Sequence, residues 1–211
     1  MNFEILTGIK HLSKHDKVLS TLIKNYGICN LQPNKKYFNS LLRSILGQQL
    51  SVTAASAISK KFFNYFDKKP KPEDIITVPH EELRKLGLSN AKAKYVKDLS
   101  QKIIDKEINL KTIGLKTNEE IIEELTKVKG IGVWTVHMFL IFTLARLDVL
   151  PYSDLGVQKG IMLNYGLKKL PDEKKIFKIA KQNNWHPYSS IVSLYLWQSL
   201  DNKPFDNYSE S

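Results

Sequence analysis

The chain has 211 residues, with 32 Lys+Arg against 21 Asp+Glu, a net charge of +11 at pH 7. Hydrophobic residues make up 42% and charged residues 25%, ordinary proportions for a protein with a core, and with only 10 Gly and 8 Pro they exclude a disordered, collagen-like or low-complexity chain. The single cysteine, Cys29, excludes an intramolecular disulfide framework, an all-cysteine zinc site and a four-cysteine iron–sulfur cluster, and fits a reducing, intracellular setting.

Taken from the N-terminus, Met1-Asn2-Phe3-Glu4 lacks the basic and apolar regions of a signal peptide, and the residues before Tyr37 read as helical. From Phe38 onward, Leu41, Leu42, Ile45 and Leu46 recur at the spacing of one buried helix face. Gly47-Gln48-Gln49 interrupts that pattern, and Ser51 can cap a second helix carrying Ala54, Ala55, Ile58, Phe62 and Phe66. Lys68 to Pro72 reads as a basic, proline-containing loop. Pro79 opens a short helix that Gly87 closes, and Ser89 caps one bearing Ala93, Val96, Leu99, Ile103 and Ile104. Thr117-Asn118-Glu119-Glu120 is a capping box for a helix through Leu125. The most apolar run, Val136 to Ala145, is about half the length needed to cross a bilayer and contains His137. Further helices follow Asp154, to about Tyr165, and Asp172; a last one occupies Tyr188 to Leu200, and a frayed tail is expected from Asn202. No strand alternation is sustained, so the expected fold is all-α. The expected location is cytoplasmic and nucleoid-associated, with no membrane partner, because nucleic acid is the commonest partner of so basic a protein. Charge alone also fits simple solubility.

Leu125-Thr126-Lys127-Val128-Lys129-Gly130-Ile131-Gly132-Val133-Trp134 lies between two helical patterns. Two glycines here let the backbone turn tightly and approach another surface, and the following helix begins where free amides favour an anion. Lys127 and Lys129 add charge. The expected DNA-gripping set is Lys127, Lys129, Gly130, Gly132, Val133 and Thr135, holding phosphate without reading sequence.

These residues resemble the hairpin of helix-hairpin-helix DNA-binding proteins. Downstream, Trp134-Thr135 leads an apolar helix, followed by Pro151-Tyr152-Ser153-Asp154 at a helix start. That order resembles the helix-hairpin-helix DNA glycosylases, most closely the bacterial 3-methyladenine DNA glycosylase II branch. Ile45-Leu46-Gly47-Gln48-Gln49-Leu50-Ser51, Leu86-Gly87-Leu88-Ser89 with Lys92-Ala93, and Trp185 to Trp197 match that branch as well, so the resemblance runs from about Tyr37 to Trp197. It implies a two-lobed fold: a central lobe over 37–150, and 1–36 packed with 151–211 as the second, with the active-site cleft between. The N-terminal β-domain of larger relatives is expected to be absent.

Breaking an N-glycosidic bond leaves positive charge on C1′ and the sugar ring oxygen, which a fixed carboxylate stabilises while directing water to C1′. Asp154 stands at a helix start, where dipole and amides favour negative charge. An aspartate there is by itself usually an N-cap; the hairpin before it, at the family's spacing, makes it the expected catalytic residue. Asp148 reads as a surface turn residue. Bifunctional relatives carry a Schiff-base lysine where this chain has Trp134, so the resemblance implies a monofunctional enzyme that leaves an abasic site.

Alkylated purines are cationic, and an aromatic pocket attracts them. Trp134 and Met138 share a helix face, and Trp197 matches a pocket tryptophan of the branch; these three are the expected base pocket. The best-known member of the branch has a tyrosine where Met138 stands, and Ser189 falls where the family often has arginine. Trp185 reads as core. Flipping a base out leaves a hole, which the turn Gln48-Gln49-Leu50 is expected to fill, with Gln49 as the intercalating tip. The implied activity is removal of 3-methyladenine and 7-methylguanine from damaged double-stranded DNA in base excision repair, by a monomer. No catalytic metal or cofactor is expected, and the resemblance leaves open a monovalent cation at the hairpin carbonyls. The alternatives are a non-catalytic hairpin module, against which Asp154 argues, and a glycosylase for another lesion.

Overall fold

The computed structural model describes residues 3–202; Met1, Asn2 and the expected frayed tail beyond Asn202 lie outside them. Among the described residues all regular structure is helical, and no helix is long and apolar enough to cross a membrane. The chain divides into two compact units, a continuous one over Asn34–Phe139 and a discontinuous one formed by residues up to Pro33 together with those from Leu140 onward.

The continuous unit holds α3 (Tyr37–Gly47), α4 (Val52–Tyr65), α5 (Pro72–Thr77), α6 (His80–Lys85), α7 (Asn90–Ile104), α8 (Asn118–Leu125) and most of α9 (Val133–Phe142). Leu41, Leu42, Ile45 and Leu46 are wholly buried, so α3 turns its entire apolar stripe inward. Local capping sets the helix starts. The Ser51 and Ser89 hydroxyls accept from the Ala54 and Lys92 amides, and Thr117 and Glu120 form a reciprocal capping box. Pro79 is the cap of α6, just outside it, and Gly87 beyond its end takes the left-handed conformation, φ 100°. The basic stretch from Lys68 is a loop only as far as Lys71. Pro72 opens α5, which six residues make too short to show a period in the sequence.

The discontinuous unit contains α1 (Phe3–His15), α2 (Lys17–Tyr26), α10 (Leu155–Asn164), α11 (Glu173–Gln182) and α12 (Ser189–Asp201). Here α12 packs against α1, α2 and α10. Asp16 is a buried hub. One carboxylate oxygen caps α2 through the Val18 and Leu19 amides, and the other accepts from the Tyr165 hydroxyl and, at 2.8 Å, the Trp185 indole N–H. Trp185 is fully buried and belongs to the core.

The division falls after Phe139, whereas the sequence placed the end of the central lobe at Leu150. Residues 146–149 are bound to α12: Ser190 N donates to Leu147 O at 2.9 Å, Val149 N donates to Ser190 Oγ at 3.0 Å, and Ser190 Oγ donates to Arg146 O. Asp148 is likewise no plain surface turn residue. Its carboxylate accepts from His186 Nδ1 and from the hydroxyl of Ser189, the first residue of α12.

Candidate active site and nucleic-acid interface

In the discontinuous unit, Asp154 is the N-cap of α10. Its Oδ1 accepts from the Val157 amide and from the Trp197 indole N–H, each at 2.8 Å. Only 9% of the residue is exposed, so two donors hold a nearly buried carboxylate in one orientation. Gly156 makes this approach possible. A Cβ there would stand 2.7 Å from Trp197 Cδ1 and 3.0 Å from Asp154 Oδ1. One turn on, a Cβ at Gly160 would stand 2.8 Å from the Leu196 carbonyl oxygen, so α10 meets α12 along a glycine edge. The Trp197 ring also stacks on Phe142, centroids 5.6 Å apart and planes inclined by 28°. A carboxylate gripped in this way can face a cationic sugar without reorganising as charge develops.

In the continuous unit, α8 ends at Leu125, with Thr126 as its C-cap, and α9 begins at Val133, with Val128 and Ile131 buried beneath the connection. Gly130 has φ 84°, and a Cβ on it would lie 2.1 Å from the Tyr95 ring, so both backbone and packing demand glycine. At Gly132 a Cβ would meet nothing within 4 Å, which leaves that face of the hairpin open to an outside surface. Both hairpin lysines have carboxylate neighbours: Lys127 Nζ lies 3.7 Å from Glu123, and Lys129 Nζ 3.9 Å from Asp98. Asp98 also accepts from the Lys129 amide at 2.9 Å and so steadies the turn.

The Gln48-Gln49-Leu50 turn lies beside the hairpin. Gln48 Nε2 donates to Gly130 O at 2.7 Å. Gln49 is exposed with φ 54°, a left-handed conformation that costs a non-glycine residue about 1–2 kcal/mol. Together with Trp134 and Met138 these residues line a cavity of about 740 Å³, which also takes in Arg43, Lys92 and Tyr95. Trp134 is 46% exposed and presents an aromatic surface to it. Thr135, expected among the DNA-gripping residues, is instead 5% exposed and lines this cavity, because it lies on the inner side of the first turn of α9. Lys92 is also buried. Its ammonium donates to Leu46 O at 2.7 Å, at the end of α3, and burial lowers its pKa.

The model of the family described as HhH-GPD superfamily base excision DNA repair protein matches residues 42–184. The chain belongs to this superfamily. It is 33% identical over 195 residues to the alkylbase DNA glycosidase-like protein mag2 of Schizosaccharomyces pombe, covering 90% of this chain and 91% of that one. Two solved structures share the fold at this level of likeness. The 3-methyladenine DNA glycosylase of Schizosaccharomyces pombe in complex with abasic DNA superposes with a TM-score of 0.81 at 32% identity, over 97% of this chain and all of that one. A DNA-3-methyladenine glycosidase from Bacillus halodurans gives a TM-score of 0.80 at 34% identity, over 91% and 88%.

Within this HhH-GPD chain the expected residues fall into two groups. Asp154 and Trp197 are joined by a hydrogen bond in one unit; Trp134, Met138, Gln48, Gln49, Leu50 and Gly130 line one cavity in the other. Sequence reasoning missed Gly156, Phe142, Tyr95, Asp98 and the role of Lys92. Only Gly156 carried a signal, as the first glycine of a Gly156-x-x-x-Gly160 spacing on α10. Ser189, where relatives often have arginine, is buried and spends its hydroxyl on Asp148. Among the described residues no group of three or more His, Cys, Asp or Glu could hold a metal ion.

Proposed function

We propose that the protein is a monofunctional DNA glycosylase that hydrolyses the N-glycosidic bond of alkylated purines, 3-methyladenine and 7-methylguanine, in double-stranded DNA. The observation that carries this reading is the Asp154 carboxylate, almost buried at the start of α10 and held by the Trp197 indole and the Val157 amide. In the proposed step the bond from C1′ to the base breaks and the base takes the bonding pair, so a cationic base leaves neutral. Water oxygen bonds to C1′, and its proton passes by way of Asp154 to solvent.

The methylated-purine preference rests on the names of the relatives and on the aromatic Trp134 surface, which attracts a cationic base by about 0.5–2 kcal/mol more than a neutral one. At about 1.4 kcal/mol per factor of ten, that selects by a few tens-fold at most, so the lability of the charged nucleoside must supply the rest. Monofunctional chemistry is supported by Trp134, which has no amine, at the family's Schiff-base position. The one lysine lining the cavity, Lys92, has its ammonium engaged by Leu46 O.

Release of free base from methylated duplex DNA, separated by chromatography, tests the activity. The reading predicts 3-methyladenine and 7-methylguanine, with no covalent complex trapped by borohydride. Release of 8-oxoguanine with little methylated purine would overturn the substrate assignment, and a trapped imine would overturn the monofunctional one.

A further inference from the structure

At the end of the continuous unit remote from the Gln48–Leu50 turn, three segments converge on a groove of about 940 Å³ lined by Lys35, Lys36, Lys68, Lys69, Lys71 and Lys111. Its floor includes Tyr37, Phe38 and Pro70. The placement follows from the helices. α3 and α4 pack together and are joined by the Gln48–Leu50 turn, so the start of α3 and the end of α4 lie side by side at the far end. A rise of 1.5 Å per residue over α3 and α4 puts that end roughly 15–20 Å from the turn.

The charge in this groove is unlike that of the hairpin. Lys127 and Lys129 stand beside Glu123 and Asp98, whereas among the described residues no ammonium of the six groove lysines is paired with a carboxylate; Lys71 meets Asp74 only through its backbone amide. The turn that delivers Lys68 and Lys69 is held in an uncommon shape, with the non-glycine pair Asp67 and Lys68 both left-handed, φ 50° and 63°. Lys68 N donates to Phe63 O at 2.7 Å and Lys69 N to Phe66 O at 2.9 Å, which fixes that turn against α4. Six of the 32 Lys+Arg residues are therefore gathered at one built place, away from the hairpin.

We propose that this lysine groove binds the phosphate backbone of a second DNA segment, so that the protein can hold two duplexes and pass directly from one to the other. Lysines on three segments are strongly hydrated point charges with no fixed fork, suited to phosphates without regard to sequence. A duplex seated on Gly130 and Gln49 occupies the opposite end of the unit and leaves the groove open to another segment. The inference rests on the reading of the hairpin end as the DNA site; it adds a second site whose occupant is DNA rather than an acidic peptide.

The test uses the full chain and a six-site variant, Lys35→Gln, Lys36→Gln, Lys68→Asn, Lys69→Gln, Lys71→Gln and Lys111→Gln, in which asparagine keeps a residue tolerant of positive φ. Dissociation from a fluorescent 20-base-pair duplex is followed by stopped flow against rising concentrations of unlabelled duplex. Excision from a short methylated duplex is measured under single-turnover conditions alongside. For the wild type the dissociation rate should climb with competitor, and in the variant that climb should fall roughly tenfold or more while excision is retained. A wild-type rate indifferent to competitor, or a climb that survives in the variant, overturns the second site even if excision is normal. Binding of polyglutamate by the wild type that the six-site variant loses, without any competitor effect of duplex, overturns it in favour of an acidic protein partner. Absence of excision and of first-duplex binding in the wild type would instead defeat the hairpin-end reading, and this proposal with it.

Discussion

The indole N–H of Trp197 donates to Oδ1 of Asp154 at 2.8 Å, which makes this tryptophan a holder of the carboxylate as well as a ring beside it. The sequence places Trp197 in the base pocket, as an aromatic surface for cationic bases. The hydrogen bond predicts otherwise for Trp197→Phe, which keeps a ring and removes the donor. A hydrogen bond to a charged group contributes about 1.5–3 kcal/mol, so excision should fall roughly 10–100-fold. Single-turnover rates on 3-methyladenine and hypoxanthine duplexes should fall alike. A loss confined to 3-methyladenine would return Trp197 to a stacking role.

Gly156 should control the same contact. In Gly156→Ala the new methyl meets Trp197 and Asp154 Oδ1, so overpacking should cost about 1–3 kcal/mol and excision should drop as the pair is pushed apart. Gly160→Ala meets the Leu196 backbone instead and should cost stability with less effect on the rate per folded molecule. Thermal unfolding and single-turnover excision on both variants separate the two effects.

The two hairpin glycines should behave differently. Gly130→Ala faces a positive φ and the Tyr95 ring, so a stability loss of roughly 2 kcal/mol or more is expected. Gly132→Ala meets no protein atom within 4 Å and should leave stability within about 0.5 kcal/mol of wild type. It should nevertheless weaken binding to undamaged duplexes of any sequence, measured by fluorescence anisotropy, because the methyl intrudes where a phosphate would sit. Unchanged affinity, or weakening for one sequence only, would remove Gly132 from phosphate contact.

His137, on α9 beside Met138, is buried, and burial lowers its pKa from the ordinary 6.5. The unfolded chain therefore takes up this proton more readily than the folded one. The histidine's contribution to stability is complete above pH 6.5 and declines as pH falls through 6.5 toward the lower folded-state value. Urea unfolding from pH 7.5 to 5 should show that decline, and His137→Asn should flatten it. An equal slope in the variant would place the titration elsewhere.

What was legible in the sequence was local. Ser51, Ser89, Thr117, Asp154 and Asp172 announce helix starts because each side chain accepts from the amide three residues on, and that signal sits inside a short window. The stripe on α3 was readable for the same reason. By contrast, α9 is apolar on all sides, so its pattern cannot tell that Thr135 turns inward while Trp134 stays exposed. Gln48 reaches Gly130, Lys92 reaches Leu46, and Asp16 reaches Tyr165 and Trp185 across long stretches of chain that no periodicity connects. Phe142 read as one more apolar residue, and only the folded chain brings it onto Trp197.

The central claim is that the Asp154 carboxylate carries bond cleavage, and Asp154→Asn tests it most directly. Asparagine keeps an oxygen that can accept from the Val157 amide and the Trp197 indole, so the fold should survive while the negative charge is lost. Single-turnover excision of 7-methylguanine should fall by several orders of magnitude with duplex binding retained. Excision at the wild-type rate by a folded, DNA-binding Asp154→Asn protein would contradict the account.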